Sequence, residues 1–252
     1  MVRQPFGRDY AKYYDALYRD KDYEGESIVV RRLLAKFAPG ASTLLELGCG
    51  TGNYTKILSK RFGITAVERS PHMLELARRK VRSRGVRFVL GDITHVLPGL
   101  DEKYDACVGL FHVANYLRTR RELKSLLREV HAHLNVGGLV IMDSWNGSAV
   151  LRQRPSVRVK EVRFGRKSVI RVAEPHLTTS ASSCDVAYTT FVLDGSRLVG
   201  AFRENHRMRY YFPAELKAAL AESGFELLQL TRNGKNRLRK DDWSMLAVAR
   251  RR

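Results

Sequence analysis

The chain has 252 residues, which is enough for one α/β domain with an elaboration but short for two full domains. Its 45 Lys and Arg residues outnumber its 26 Asp and Glu residues, and the formal net charge of +19 indicates either a phosphate-rich partner or an arginine-rich surface. No apolar run approaches the roughly 18 residues of a membrane span and no cysteine pair has zinc or redox spacing, so we expect a cytoplasmic protein with no membrane partner.

Tyrosines recur every three to four positions near the start of the chain, which predicts a helix with one aromatic face. The residues of this face are Tyr10, Tyr13, Tyr14 and Tyr18. A second helix is predicted from about Ser27 to Phe37, because a Pro-Gly pair follows it. Residues 1–40 are therefore predicted to form an N-terminal helical cap.

Strands and helices alternate over the next hundred residues, a pattern typical of parallel βαβ units. The predicted strands are 43–47, 64–68, 86–90, 104–110 and 139–143, and the predicted helices are 54–62, 71–84 and 121–134. We interpret Gly137-Gly138 as a turn before the fifth strand. The pattern resumes near the end of the chain with a helix at 213–223 and strands near 226–230 and 244–249. The seven strands predict a Rossmann-like α/β sheet built from residues 41–147 and 207–252.

A different pattern interrupts this core. Apolar and polar residues alternate in four segments, separated by turns at Gly165-Arg166 and Asp194-Gly195; the segments are 157–162, 168–174, 187–193 and 198–205. Such alternation is typical of antiparallel strands. Residues 148–206 are therefore predicted to form a small antiparallel β insertion over the functional site.

The most informative motif is Glu46-Leu47-Gly48-Cys49-Gly50-Thr51-Gly52, which lies between the first strand and the first helix of the core. Glycines let such a turn adopt unusual dihedral angles and approach a ligand closely. In open α/β sheets the ligand lies at the carboxyl end of the strands. The spacing is GxGxG, not the GxGxxG of dinucleotide-binding proteins.

Acidic residues follow at the ends of the next two strands. Glu68 closes the second strand 20 residues after Gly48, the separation at which an acid accepts hydrogen bonds from ribose hydroxyls. Asp92, followed by Ile93, ends the third strand, where its carboxylate can accept a hydrogen bond from an adenine amino group. The alternative is that both acids are solvated turn residues, but their order after the glycine turn favours a nucleoside site.

Residues 44–143 resemble the class I S-adenosylmethionine (AdoMet)-dependent methyltransferases on these motifs. The resemblance implies AdoMet as the cofactor and a transfer that needs no metal. It implies that Glu46, Gly48 and Gly50 border the methionine part of AdoMet and that Glu68 holds the ribose. It also implies that Met73 packs on the adenine and Asp92 contacts the adenine amino group, with Cys49 and Ile93 completing the cofactor-binding set.

A narrower resemblance covers most of the chain. The segments Tyr14-Asp15-Ala16-Leu17-Tyr18 and Phe111-His112-Val113-Ala114-Asn115-Tyr116-Leu117, together with the late β insertion, are similar to the amino-sugar N-methyltransferases. This implies N-methylation of a small-molecule acceptor, possibly nucleotide-linked, by a monomer or a homodimer. The run Asp143-Ser144-Trp145-Asn146 differs from the Glu-Pro-Trp-Trp type expected after the fifth strand, which leaves the particular amine open.

The predicted catalytic residues are His112 and Tyr14. His112 follows the fourth strand, and an imidazole suits a base or an orienting group at neutral pH. Tyr14 could close the site from the first helix, and His206 could reach it from the insertion; either could instead be a packing residue. An RNA or protein methyltransferase that uses the basic surface stays the alternative function, ahead of a non-catalytic AdoMet-binding subunit.

Overall fold

The computed structural model describes residues 5–252, so the first four residues of the predicted cap lie outside the described part. The helices are α1 (Arg8–Leu17), α2 (Tyr23–Phe37), α3 (Asn53–Leu58), α4 (Pro71–Lys80), α5 (Arg120–Ala132), α6 (Gly147–Gln153) and α7 (Pro213–Glu222). The strands are β1 (Thr43–Leu47), β2 (Gly63–Glu68), β3 (Val86–Leu90), β4 (Tyr104–Gly109), β5 (Leu134–Trp145), β6 (Arg158–Phe164), β7 (Lys167–Thr178), β8 (Ser183–Asp194), β9 (Arg197–Arg209), β10 (Phe225–Thr231) and β11 (Ser244–Arg251). Within these residues, no helix is long and apolar enough to cross a membrane.

Seven strands form one mixed sheet in the order β10-β11-β5-β4-β1-β2-β3, which confirms the predicted Rossmann-like α/β fold. Strand β1 lies in the interior and pairs in parallel with both β2 and β4. Its residues Leu44–Leu47 are all buried, as expected where helices cover both faces of a parallel sheet. Strand β11 follows β10 without a crossover helix and pairs antiparallel to it, and it also runs antiparallel to its other neighbour, β5.

Helix α5 shows how the sequence pattern produces the packing against this sheet. The Thr119 side chain caps the helix by accepting a hydrogen bond from the Glu122 amide at 3.1 Å. The buried residues then follow at positions spaced by three or four, namely Leu123, Leu126, Leu127 and Val130. The opposite face carries the charged residues, so the amphipathic pattern orients the helix.

The turn prediction at Gly137-Gly138 is wrong, because both glycines lie inside β5. Gly137 has a φ of +79°, and the register between β5 and β4 shifts opposite Tyr104 and Ala106. The pair therefore makes a bulge that lets one long strand continue. Helix α6 was not predicted; it begins where the Asn146 side chain accepts a hydrogen bond from the Ser148 amide at 3.1 Å.

The second sheet contains four antiparallel strands in the order β6-β7-β8-β9. It starts at Arg158 and ends at Arg209, so its first strand follows α6 and its last extends three residues past the predicted end of the insertion. Residues of this sheet pack with the tyrosines of α1 in one apolar cluster that includes Val162, Val169 and Val192. The division of the chain into cap, core and insertion remains a prediction.

Helix α1 is tied to the core by a carboxylate. Asp15 accepts hydrogen bonds from the Thr51 hydroxyl at 2.6 Å and from the Asn53 amide at 3.2 Å. It also pairs with the Lys80 ammonium at 2.8 Å. Since Thr51 and Asn53 belong to the glycine turn and the start of α3, Asp15 holds the aromatic helix against that turn.

Candidate active site

A cavity of about 1160 Å³ lies at the carboxyl ends of the central strands. This volume exceeds the roughly 300–1,000 Å³ typical of pockets for a single drug-sized ligand, and it suits two ligands side by side. We call one set of lining residues the floor; it comes from the turns after β1, β2 and β3 and comprises Gly48, Cys49, Gly50, Glu68, Met73, Asp92 and Ile93. We call another set the roof; it comes from α1 and the second sheet and comprises Tyr14, Tyr18, Arg171, Tyr188 and His206.

The glycine turn of the floor requires glycine. Gly48 has a φ of +64°, and a Cβ there would lie 2.7 Å from Cγ2 of Val113. Gly50 has a φ of +57°, and its amide donates to Glu68 Oε2 at 2.9 Å. Cys49 between them is buried, and burial raises the pKa of its thiol well above the usual value, so it fills space as a thiol.

Glu46 lies beneath this turn and is 3% exposed. Its Oε2 accepts a hydrogen bond from the Thr55 hydroxyl at 2.7 Å. Burial nevertheless raises the pKa of Glu46 to about 7, because desolvation of the carboxylate outweighs the hydrogen bond. Near neutral pH the carboxyl group is therefore poised between its charged and neutral forms.

Glu68 ends β2 with both carboxylate oxygens held by backbone amides. Oε2 accepts from Gly50 at 2.9 Å and Oε1 accepts from Ser70 at 2.8 Å. Burial raises the pKa of Glu68 in spite of these hydrogen bonds. The residue therefore fixes the glycine turn and also presents a buried acceptor to the cavity.

Asp92 and Met73 complete the far part of the floor. Asp92 Oδ1 accepts hydrogen bonds from the Thr94 amide at 2.9 Å and the Thr94 hydroxyl at 2.7 Å. Burial raises the pKa of Asp92, but these bonds outweigh it and the net pKa is lowered. Met73 is 1% exposed and lies near Gly50, and Ile93 lines the cavity beside Asp92.

His112 lies in the cavity wall directly after β4, in an unusual backbone conformation. Phe111 and His112 both have positive φ, +62° and +64°, and such strain is concentrated at functional sites. Asp143 at the end of β5 compensates by accepting the His112 amide at 2.7 Å. The buried Nδ1 of His112 lies 3.3 Å from Asp143 Oδ2 but is not aligned for a hydrogen bond.

The nearby carboxylate fixes which ring nitrogen is available. It favours the proton on Nδ1 and leaves Nε2 of His112 as the unprotonated nitrogen. Burial raises the pKa of Asp143, although the neighbouring His112 opposes this. In the sequence, Asp143 stands out only as a departure from a family run, and its pairing with His112 leaves no local pattern because the two residues are 31 positions apart.

Aromatic residues make up most of the roof. The rings of Tyr14 and Tyr18 are 4.7 Å apart, and the Tyr18 ring is 5.1 Å from that of Phe111. Tyr14 is 8% exposed, and burial raises the pKa of its hydroxyl well above the usual value. The predicted catalytic pair therefore lines one cavity, with Tyr14 in the roof and His112 in the wall.

His206 reaches the cavity but both of its ring nitrogens are engaged. Nε2 lies 3.1 Å from Glu204 Oε2, and Nδ1 lies 2.8 Å from the Tyr116 hydroxyl. Burial lowers the pKa of His206, so the neutral ring donates to Glu204 and accepts from Tyr116. Glu204 also accepts the amides of Phe6 and Gly7 at 2.8 and 2.7 Å, a long-range contact that the sequence pattern does not reveal.

Three exposed arginines line the solvent edge of the cavity, and we call them the rim: Arg118, Arg121 and Arg158. A shallow depression of about 460 Å³ adjoins them on α5 and adds Lys124 and Arg128. Within residues 5–252 the rim arginines form no ion pair with a carboxylate. In the same part of the chain, no group of three His, Cys, Asp or Glu side chains could hold a metal ion.

Comparison with known proteins agrees with this geometry. Residues 44–138 match a methyltransferase domain family. The dTDP-3-amino-3,4,6-trideoxy-alpha-D-glucopyranose N,N-dimethyltransferase of Streptomyces venezuelae is 31% identical over 222 residues, which cover 87% of this chain and 91% of that enzyme. The chain belongs to the S-adenosylmethionine-dependent methyltransferases. Its cofactor is AdoMet, and the predictions of fold, enzyme class and cofactor are confirmed.

Solved structures extend the comparison to the whole methyltransferase. A sugar N-methyltransferase from a Streptoalloteichus species superposes with a TM-score of 0.82 at 27% identity, covering 100% of this chain and 96% of that one. The DesVI protein of Streptomyces venezuelae gives 0.80 at 27% identity, covering 98% and 100%. Both match across the second sheet as well as the AdoMet-binding core.

The residues in and beneath the floor of this methyltransferase match the chemistry of AdoMet. Gly50 leaves an open cradle, because a Cβ there would meet only Met73 Cε, at 3.7 Å. Buried carboxylates stand at the ends of β1 and β2, where the amine and the ribose hydroxyls of AdoMet offer donors. The polar acceptors and the open cradle therefore match a polar nucleoside ligand.

Proposed function

We propose that this methyltransferase N-methylates the amine of a nucleotide-linked amino sugar. The observation that carries the proposal is the two-part cavity: a floor of backbone turns and buried acids, and a separate aromatic roof with an arginine rim. The volume supports two ligands in contact. Three relatives, which match 87–88% of this chain, are named for dTDP-linked amino sugars.

We assign the floor residues, together with Glu46 beneath them, to the cofactor. Glu46, Gly48 and Gly50 border its methionine part, and Glu68 accepts from its ribose hydroxyls. Met73 packs on the adenine and Asp92 accepts from its amino group, with Cys49 and Ile93 as close apolar neighbours. When bound, AdoMet supplies a methyl group on a sulfonium that a neutral amine can attack.

We assign the wall and roof to the acceptor. Orientation of a nucleophile in a fixed geometry can supply much of the rate enhancement of such a transfer. Tyr14 closes the chamber from α1, and His112 accepts or steers the proton of the amine through Nε2. The Asp143 carboxylate stabilises the imidazolium that results, since it lies 3.3 Å from Nδ1.

The rim supports a nucleotide-linked acceptor. Arginine binds phosphate oxygens through a planar fork of donors. Arg121 and Arg158 come from different elements, α5 and β6, so they can contact a diphosphate from two sides. Because these arginines border an enclosed cavity, the geometry favours a small ligand over RNA, which needs an open basic surface.

The test is methyl transfer from labelled AdoMet to a dTDP-linked amino sugar, the same free amino sugar, and RNA. We expect the dTDP-linked amine to be methylated at the highest kcat/KM and RNA not to be methylated. Methylation of RNA with a steep salt dependence, and none of the amines, would instead support the nucleic-acid alternative. We also propose a cytoplasmic location, because all three cysteines are free thiols.

A further inference from the structure

The roof contains a half-buried cation, Arg171, that the proposed chemistry does not use. Arg171 projects from β7, and its Nη1 donates to the Tyr18 hydroxyl at 2.8 Å and the Tyr10 hydroxyl at 3.0 Å. The guanidinium carbon lies 5.1 Å from the Tyr18 ring centroid and 4.7 Å from that of Tyr188. Two tyrosines of α1 and one of β8 thus enclose this cation, and its Nε is buried without a hydrogen-bond partner.

The charge of Arg171 has no carboxylate partner among residues 5–252. Asp20, an acid whose pKa the charge of Arg171 helps to lower, is exposed and already pairs with Lys160 at 2.6 Å. On β9, His206 is held neutral by burial, and Glu204 is occupied by His206 and backbone amides. Buried cations are normally paired, because desolvation is costly. The positive potential of Arg171 is therefore directed at whatever fills the chamber.

The ring of Tyr18 connects Arg171 to the expected site of methyl transfer. The Tyr18 hydroxyl that accepts from Arg171 belongs to the ring that lies 5.1 Å from Phe111. Phe111 follows the end of β4, next to His112, where the transferable methyl is expected. The other cation there, Lys21, lies 4.3 Å from the Phe111 ring centroid, but Glu26 neutralises it at 2.5 Å.

We propose that Arg171 keeps the acceptor amine unprotonated in the bound complex. The inference rests on the proposed function, since it requires an amine acceptor. A fixed like charge disfavours the ammonium form, and a neighbouring cation is one of the known ways to activate an amine nucleophile. Arg171 suits this role because a guanidinium stays charged at every working pH.

The chemistry of methyl transfer determines whether the charge of Arg171 raises or lowers the rate. The nitrogen lone pair forms the new N–C bond while the C–S bond breaks and its electron pair goes to sulfur, so the nitrogen becomes positive. As this bond forms, the nitrogen gives up one proton, which His112 Nε2 accepts and passes to water. Arg171 opposes the positive charge that develops on nitrogen, but this charge is only partial in the transition state. Below the pKa of the bound amine, Arg171 speeds the transfer, because the larger fraction of neutral amine outweighs its repulsion of the developing charge. Above that pKa the amine is already neutral, and only the repulsion remains.

The experiment compares Arg171→Gln with the parent enzyme in kcat measured from about pH 6 to about pH 10. Gln keeps a donor for the tyrosine hydroxyls but removes the charge. We expect Arg171→Gln to lose roughly tenfold in kcat at the acid end, which is one unit in the amine pKa, and to equal or exceed the parent at the alkaline end. Arg171→Lys still carries a charge at the acid end, so it should keep the parent rate there. A uniform loss across pH, or an unchanged profile, would show a structural role and overturn the inference.

Two further measurements keep the test decisive. The first uses two acceptors whose amines differ in pKa. If the fall of kcat at low pH reports the bound amine, the pH at which it occurs should shift with the amine pKa of the acceptor. If it reports His112, that pH should be the same for both acceptors. If Arg171→Gln does not fold, binding of the acceptor to the parent enzyme with S-adenosylhomocysteine serves instead: affinity should rise with pH through the amine pKa, and tighter binding of the ammonium overturns the inference. Failure of the proposed function would differ, since the parent would then methylate no amine, and that outcome overturns both.

Discussion

The floor and the roof of the cavity are built in different ways. The floor residues lie at the carboxyl ends of strands or a few positions after them, and their main partners are backbone groups within about twenty positions, such as the Gly50 amide on Glu68. The roof joins residues far apart in the chain: Tyr18 and Arg171 are 153 positions apart, and Glu204 holds the Gly7 amide across 197. Local backbone geometry therefore makes the cofactor site, whereas tertiary packing makes the acceptor site.

The largest effect is expected in the wall that joins the two parts. His112→Ala removes the group that accepts the amine proton, and general-base help is worth on the order of 10²–10⁴-fold. We expect kcat to fall at the lower end of this range, about 10²-fold, because Arg171 already favours the neutral amine. AdoMet affinity measured by calorimetry should change little, since His112 is not a floor residue.

Asp143→Asn is the matched control for His112. Asn keeps an acceptor for the His112 amide, now at 2.7 Å, but removes the charge beside Nδ1. We expect an intermediate loss of kcat with the backbone conformation retained. If turnover and pH profile of His112→Ala stay within a few-fold of the parent, the wall only positions the acceptor.

Glu68→Ala tests the floor. It removes a buried acceptor, and charge-assisted hydrogen bonds are worth about 1.5–3 kcal/mol, so AdoMet affinity should fall by that amount. Because Glu68 also holds the Gly50 amide, part of this loss reflects a looser turn. Glu68→Gln, which keeps one amide acceptor, should lose less, and the exposed Glu75→Ala on α4 should lose nothing. Unchanged calorimetric affinity in Glu68→Ala with an intact fold would remove the ribose assignment.

The difference between floor and roof also explains what the sequence could predict. The order of strands, the glycine turn and the acids at strand ends follow from local patterns, since hydrophobic periodicity and turn chemistry act over a few residues. Arg171 in its tyrosine enclosure leaves no such signature: on β7 it is one polar residue in an alternating strand. The Gly137-Gly138 pair predicts a turn where the structure has a bulge, because turns and bulges both use glycines with positive φ.

Arg121→Gln tests whether the rim binds a diphosphate. Loss of one charge-assisted contact should raise KM for a dTDP-linked acceptor by roughly tenfold with little change in kcat. KM for the free amino sugar should not change, because that acceptor carries no phosphate. Arg79→Gln is the control, since Arg79 is an exposed arginine on α4. Equal effects on both acceptors would assign the rim to folding rather than recognition.

The smallest effect on turnover is expected at Glu46, where burial beneath the floor changes the stability of the protein instead. The folded pKa of about 7 lies above the usual value of 4.5, so this group contributes stability that is present below about pH 4.5 and lost as pH rises through about 7. Glu46→Gln cannot ionise and still offers an acceptor to Thr55. We expect its free energy of unfolding, measured by urea at pH 8 without AdoMet, to exceed that of the parent by about 3 kcal/mol. At pH 4.5 the free energies of unfolding of the parent and of Glu46→Gln should be equal.

Cofactor binding gives a second test of Glu46. AdoMet should bind Glu46→Gln more weakly, because the amine of AdoMet favours the charged carboxylate, and near pH 7 binding to the parent should release protons into the buffer. A parent protein that is more stable than Glu46→Gln at pH 8, with no proton release on binding, would show that Glu46 is ionised before the cofactor arrives.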